Sequence, residues 1–429
     1  MSSLAEIMFD LGNEVVGYDD DPKPKYTEEA LIKKGIKIYY DNSYQLEDQV
    51  VVYSPAIRED HPEMKRAKTK GLKCLLYNEM LGELTKQFET IAVCGSHGKT
   101  TTTAMLAHVL TNIDSSIGAN YLIGDGTGYA NNSNKHFVLE ACEYRRHFLH
   151  YFPKYIIITN IDFDHVDYYK DIEDVKKAFI EFANQTEKLV IACGDDENIR
   201  NISINNDVIY YGFNDNNNII ASNIITNTNG TSFDVHFDGH FLGSFSLQLN
   251  GRHMILNALS VIGLCHLFGL DKEELVEALK SFKGANKRFK EKIIGDIITV
   301  DDYAHHYREI EVTIETAREK YPNKEIVAIY LPNTYSRTKV LYKKEAEALN
   351  KADKAYVLDI AANREKAEEW LGVSSDLIIN LLDNGEKIGI ETIEKLLEHK
   401  NSVMLFMSCT SIENFQKEYE KLLEERKEN

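Results

Sequence analysis

The stretch Ala92–Leu106, AVCGSHGKTTTTAML, decides the fold. An apolar run, TIAVCG, ends in Gly95, and a second glycine, Gly98, precedes a lysine and a run of threonines. The pattern predicts a buried strand, a tight turn and a helix over Lys99 to Leu110. Such a turn aims backbone amides and a helix N-terminus at one point, an arrangement that stabilises phosphate. The loop is shorter than G-x-x-x-x-G-K-[ST], because Val93 stands at the first glycine position. Lys99 is placed to reach β- and γ-phosphate oxygens, and the Thr100 or Thr101 hydroxyl to ligate Mg2+.

Outward from this loop the chain keeps one rhythm of apolar strand, polar turn and amphipathic helix, which predicts parallel α/β domains. Before it, SSLAEIMFDLG reads as a helix ending at Gly12, EVVGYD as a strand, and VVVYSPAI as a short run broken at Pro55. After it, FVLEAC, YIIITNI and LVIACG read as strands. Between Ile202 and Leu249 short alternating runs and Asn/Gly turns predict β structure, followed by the helices MILNALSVIGLCHLF and KEELVEALKSF. A third α/β unit follows KGANKRF, with strands IITVDDY, EIVAIYLP, KAYVLDI and VMLFMS. The expected divisions are 1–84, 85–285 and 286–429.

The 429 residues carry a formal charge of −19 with 43% hydrophobic residues, ample for several cores. That charge argues against partners such as nucleic acid or an anionic membrane, although a local pocket can still oppose the global field. The six cysteines are scattered singly, so neither a zinc ribbon nor a disulfide framework is expected. No basic leader or membrane-length apolar run is present in the sequence, and a cytoplasmic location is expected.

Two acidic clusters complete the loop. EACEYRRHF puts Glu140 and Glu143 at one strand's C-terminal end, and TNIDFDHVD puts Asn160, Asp164 and His165 at another. Open α/β sheets gather ligands there, and oxygen donors suit Mg2+. VDDYAHHYREI adds Asp302, Tyr303 and a histidine pair, His305 and His306. Adjacent histidines project differently and no third ligand lies at helical spacing, so no transition metal is expected there. Arg337, in LPNTYSRTK, offers forked donors to a carboxylate or phosphate.

In this order, GSHGKTTTT, EACEYRRHF, TNIDFDHVD, GRHMILNALSVI, DDYAHH and PNTYSRT resemble the Mur ligase family over nearly the whole chain. The resemblance implies a three-domain α/β architecture. Its parts are a Rossmann-like N-terminal UDP-sugar domain, a central P-loop ATPase domain and a Rossmann-like C-terminal amino-acid domain. It implies ATP and Mg2+ as cofactors and an ATP-dependent amide ligase. UDP-N-acetylmuramate and L-alanine would be its substrates, joined through an acyl phosphate for peptidoglycan precursor synthesis. A monomer or weak homodimer is expected. In the implied site, Gly95, Ser96, His97, Gly98, Lys99, Thr100 and Thr101 hold the phosphates, while Thr100, Glu140 and His165 bind magnesium. Asn257, Arg288, Asp302 and Tyr303 contact the nucleotide. His305 and Arg337 face the amino acid beside Asn333, with Arg337 clamping its carboxylate, and Asp19 and Ser54 match the UDP-sugar region.

The sequence departs from the family pattern at three places. It begins at MSSLAEIM, just past where the family's first strand and G-x-G-G-x-G-M-S loop stand, which leads us to expect either a misplaced start or UDP-sugar binding that is weakened or lost. Asn333 stands where a histidine is usual, and Tyr307 where a proline is usual after the histidine pair. SCTS, Ser408 to Ser411, stands for G-A-G-D, adding side chains where glycine allows close approach. Two alternative readings therefore accompany the first. One is a ligase of the same fold with another carboxylate or amino acid; the other is a non-ligating nucleotide-binding module.

Overall fold

The computed structural model describes residues 1–23, 28–41, 43–113, 118–363, 365–410 and 412–428. Ser411, the end of the SCTS run, lies outside them. Three α/β units follow one another along the chain. In the first, β1 (Val16–Tyr18) pairs in parallel with β2 (Lys37–Tyr39), and β3 (Val51–Tyr53) with β4 (Cys74–Leu76). The helix Ser2–Asp10 turns away from these pairs. It places Leu4 and Ile7 in the hydrophobic core of the second unit. A methyl group on Gly128 would lie 2.5 Å from the Ser3 carbonyl, so glycine there permits the docking.

The second unit is a ten-stranded sheet. Its strands in chain order are β5 (Glu89–Cys94), β6 (Ala119–Leu122), β7 (Gly128–Tyr129), β8 (His136–Glu140), β9 (Tyr155–Ile158), β10 (Leu189–Cys193), β11 (Val208–Gly212), β12 (Ile219–Asn227), β13 (Gly230–Phe237) and β14 (His240–Leu247). Their spatial order is β14-β13-β12-β11-β10-β9-β5-β8-β6-β7. The strands from β11 through β6 run parallel, and β12 to β14 form an antiparallel meander. Ile91 to Cys94 are fully buried, as an apolar run covered on both faces requires. β5 lies between β8 and β9, where the sheet order reverses, and a crevice opens there outside the carboxyl ends of parallel strands. The helix Lys99–Asn112 packs against the helix Arg252–Leu267.

The third unit has β15 (Lys290–Ile294), β16 (Ile297–Asp302), β17 (Glu325–Tyr330), β18 (Lys354–Val357), β19 (Gly385–Lys387) and β20 (Ser402–Met407). Their order is β15-β16-β20-β17-β18-β19, parallel except for β15. Separate apolar clusters cover its two faces. The chain enters this unit through Lys283–Phe289. Gly284 has φ +97°, and Lys287 and Phe289 hold φ of 56° and 46°. Phe289 N donates to Asp302 Oδ2 at 2.7 Å and Tyr303 N to the Lys287 carbonyl at 3.1 Å, which fixes the end of the linker to β16.

Candidate active site at the domain junction

The loop after β5 is strapped to the turn after β9. Ser96 N donates to the Asn160 carbonyl, His97 N to Asn160 Oδ1 at 2.8 Å, and Thr159 Oγ1 to the His97 carbonyl at 2.6 Å. The Ser96 hydroxyl donates to the Asp162 carbonyl and accepts from Asp162 N. Gly95 is required by this arrangement. Its φ is +141°, and an added Cβ would lie 2.0 Å from Thr159 Oγ1. Gly95→Ala is expected to lower stability by roughly 2–4 kcal/mol, combining the unfavourable dihedral with a backbone shift. Urea unfolding checks it; a midpoint equal to the parent's would show that the loop is not strapped in this way. Gly98, with φ +82°, begins the Lys99–Asn112 helix and faces Asn257 Oδ1.

Lys99 lies at the first turn of that helix. Its ammonium donates to the Ser96 carbonyl at 3.1 Å and pairs with Glu143 Oε2 at 2.9 Å. Glu143 also meets His165 Nε2 at 3.3 Å, and His165 holds φ +53°. Burial alone would lower the Lys99 pKa and raise that of Glu143. Their mutual attraction wins, so both are held charged. Burial opposes the charged form of His165 too, but Asp164 and Glu143 raise its pKa. Cys142, Glu143 and His165 bring donor atoms within 4.8 Å of one another. The Glu140 carboxylate instead accepts from Gly124 N at 2.7 Å. Sequence reading offered Glu143 with Glu140 as a strand-end oxygen donor, and the family resemblance then chose Glu140; which carboxylate faces Lys99 depends on how the chain turns after β8.

The third unit closes onto these residues. Asp164, whose side chain is 7% exposed, pairs with Arg337 on the helix Tyr335–Leu349. Burial works to raise the Asp164 carboxyl, yet Arg337 and nearby histidines hold it well below the usual carboxylate range. Asp162 pairs with Arg308 and accepts from the Tyr307 hydroxyl at 3.2 Å. His305 Nδ1 lies 3.0 Å from Glu309 Oε2. Asp162, Asp164 and Glu309 thus form interdomain contacts. Sequence reading offered Asp164 as a strand-end ligand rather than as a partner of Arg337, and it gave Asp162, within the same motif, and Glu309 no role; those roles come only through folding.

Beneath Arg337, Glu345 is fully buried and accepts from the Tyr330 hydroxyl at 3.0 Å; that hydroxyl also lies 3.2 Å from the His305 carbonyl. Burial pushes the Glu345 carboxyl up to about 7 from its ordinary 4.5. An acid whose folded pKa is raised contributes stability that is present below its unfolded pKa and lost as pH rises through the folded value. The loss between pH 4.5 and about 7 is on the order of 3 kcal/mol. Glu345→Gln keeps an acceptor for Tyr330 and is expected to flatten this part of the profile, raising stability at about pH 8. Denaturant midpoints across the range decide it; a parent slope retained by the variant would assign the slope elsewhere.

A cleft of about 840 Å³ opens beside the loop, lined by His97, Gly98, Thr101 and Asn257 from the central unit and by Arg288, Asp302 and Glu309 from the third. Lys283, Lys287, Lys290, Arg308 and Lys320 add positive charge to its walls, in a protein whose net charge is −19. Asp195, Asp196, Glu291, Asp302 and Glu309 offset most of that charge, so any attraction for a polyanion is local to the cations rather than a property of the whole cleft. Arg288 lies 4.7 Å over the half-exposed Tyr303 ring, a platform for a planar group. Thr100 is buried beside Lys99. Asp302 spends its carboxylate on Phe289 N, Ala304 N and the Thr313 hydroxyl, so it shapes the linker. Asn333 accepts from Asn363. Asp19 and Ser54 lie at the carboxyl ends of β1 and β3, where Ser54 Oγ accepts from Ala56 N. Among the described residues no helix is long and apolar enough to cross a membrane.

Three family models match the chain in succession: "Mur ligase family, catalytic domain" over 1–89, "Mur ligase middle domain" over 93–265 and "Mur ligase, glutamate ligase domain" over 287–405. The chain is similar to the UDP-N-acetylmuramate–alanine ligase of Thermotoga maritima, with 26% identity, TM-score 0.80 and coverage of 99% of this chain and 97% of that one. It is also similar to the UDP-N-acetylmuramate:L-alanyl-γ-D-glutamyl-meso-diaminopimelate ligase of Neisseria meningitides, with 26% identity, TM-score 0.56 and coverage of 66% and 94%. A pseudomurein peptide ligase type C from Methanothermus fervidus shares the fold at 17% identity and TM-score 0.67, covering 99% of this chain and 97% of that one.

Proposed function

The chain belongs to the Mur ligase family of ATP-dependent amide ligases, and from that footing we propose that it joins L-alanine to UDP-N-acetylmuramate. The observation that carries the nucleotide side is the strapped loop. Gly95 and Gly98 hold the positive-φ turn that is strapped against Thr159 and Asn257, and Lys99 is held charged beside it. Magnesium suits the oxygen and imidazole donors of Thr100, Glu140, Glu143 and His165, and when bound it neutralises phosphate charge. We assign residues 1–84 to the sugar nucleotide, 85–285 to ATP and 286–429 to the amine.

In this reading the muramate carboxylate oxygen attacks the γ-phosphorus and ADP leaves, giving an acyl phosphate. The amine nitrogen then attacks the acyl carbon, inorganic phosphate departs, and the nitrogen loses a proton. Lys99 neutralises the approach of two anions. Arg288 and Tyr303 hold the nucleotide from the third domain. Arg337 holds the amino-acid carboxylate, and His305, kept by Glu309, borders the amine. Positioning and charge neutralisation supply the acceleration.

A second reading keeps the carboxylate and replaces alanine by a peptide amine. The observation that favours it is the buried Arg337–Asp164 pair. A peptide's N-terminal residue has no carboxylate of its own to clamp, so an already paired arginine suits it. The test is phosphate release with Mg-ATP and UDP-N-acetylmuramate, alone, with L-alanine and with a muramyl-type tripeptide, followed by product mass. Release that requires alanine and yields its amide supports the first reading, and release only with tripeptide supports the second. If ATP binds and neither amine gives product, both readings fail.

A further inference from the structure

One cluster at the edge of the cleft, sharing His97 with the phosphate loop, is given no step in that chemistry. His97 from the loop, Asp162 from the turn after β9 and His306 at the start of the helix Tyr307–Lys320 bring one donor atom each within 4.8 Å of one another. The two imidazole rings lie 4.5 Å apart at 32°. His306 is fully buried, and its Nε2 has no hydrogen-bond partner. His97 faces a carboxylate on each side, Asp162 Oδ2 at 3.7 Å from Nε2 and Glu309 Oε1 at 3.4 Å from Nδ1, which against burial raise its pKa to about 9, so an ion entering here displaces a proton. An unbonded buried ring nitrogen is costly, and His306 Nε2 and His97 Nε2 converge on Asp162. The sequence discouraged a metal at the histidine pair, because no third ligand stood nearby. Folding separates the pair, sending His305 to Glu309 and His306 to His97 and Asp162.

Two imidazoles and one carboxylate form a donor set for zinc-class ions, with a fourth position left for water. Glu309 Oε1 lies 3.4 Å from His97 Nδ1, so a carboxylate stands behind the ligating imidazole, where it fixes the tautomer and raises basicity. We propose that His97, Asp162 and His306 bind a zinc-class divalent transition-metal ion, oriented through Glu309, and that this ion clasps the third domain to the nucleotide loop. The proposal is independent of which amine or carboxylate the ligase uses. In the ion-free protein the Arg308 guanidinium pairs with Asp162; its side chain is 56% exposed and swings into solvent as the ion enters. The Tyr307 hydroxyl keeps its 3.2 Å contact with Asp162. Ligation through Nε2 moves the His306 proton to Nδ1, which gives up the 3.4 Å contact from Arg308 N. His306 N still donates to Glu309 Oε2 at 3.3 Å.

The nucleotide-free full chain is titrated with Co2+, whose visible ligand-field absorption reports tetrahedral nitrogen and oxygen ligation, and the ion is then displaced with Zn2+. His306→Asn and His97→Asn are expected to lose the absorption, and Glu309→Gln to weaken binding by about tenfold. His165→Asn, which alters the separate group beside Lys99, is expected to retain it. Arg308→Ala is expected to bind more tightly, a gain that misfolding cannot mimic. Absence of a tetrahedral Co2+ spectrum in the parent chain overturns the proposal. So does absorption that survives His306→Asn, absorption that disappears with His165→Asn, or an Arg308→Ala variant that binds no tighter.

Discussion

Lys99→Ala is expected to reduce ATP turnover by roughly a thousandfold or more, the scale lost when a positioned cation is removed from phosphoryl transfer. It is expected to cost stability as well. Lys99 neutralises Glu143, which is 1% exposed, and removing one partner of a buried pair leaves an uncompensated charge. His165 remains at 3.3 Å as a partial substitute, which puts the cost near the lower end of the usual range, about 3 kcal/mol. The two effects separate in a second variant. Adding Glu143→Gln to Lys99→Ala removes the stranded charge and should recover most of the stability but none of the turnover. Phosphate release and denaturant midpoints on the same preparations read both. Near-normal turnover in Lys99→Ala would end the phosphate-loop assignment.

The second large effect belongs to Arg337. Its guanidinium is 7% exposed and paired with Asp164 across the domain boundary. Arg337→Met is expected to destabilise the protein by about 3–5 kcal/mol, because Asp164 stays behind as a buried anion. The double variant Arg337→Met/Asp164→Leu should regain most of that loss, since an apolar pair of similar volume avoids desolvating two ions. For the ligase reaction the expected result is a KM for free amino acid raised by roughly a hundredfold. Arg337→Lys should not rescue it, because an ammonium lacks the planar fork that binds both carboxylate oxygens. A single variant as stable as the parent would mean that Asp164 is protonated, contrary to the charge assignment.

The parts of this molecule written in local pattern were legible from the sequence. The strand–turn–helix at Ala92–Leu106, the parallel strands on either side of it and the helix Arg252–Leu267 each follow from apolar period and glycine placement. The short edge strands β7, β15 and β19 were not, because two to five residues carry little periodicity. The same division runs through the candidate site. Lys99, His165 and Arg337 take their roles from their motifs, whereas Asp162, Glu309 and the ring of His306 take theirs through His97, 65, 212 and 209 positions away. The segment Tyr144–His150 holds positive φ at Arg145 and Arg146, and no residue type there announces it. That local turn brings Glu143 under Lys99 while Glu140 goes to Gly124.

The pinned end of the linker locates a pivot. With Phe289 N held by Asp302 and the Lys287 carbonyl by Tyr303, residues from Lys287 onward must travel with the third domain as one rigid piece. Ahead of it, Asn286 is tied to Asp125 of the central domain, its N and Nδ2 both donating to Oδ2, so a rotation has to break that tie before Gly284, with its φ of +97°, can absorb it. Arg288 is four residues from Gly284, whereas Arg337 lies beyond the helix Tyr307–Lys320 and β17 in the third domain. A modest rotation about Gly284 therefore leaves the nucleotide platform nearly in place while it makes or breaks the Arg337–Asp164 bond. Stiffening that one joint would act on the amine's half of the reaction before it acted on ATP.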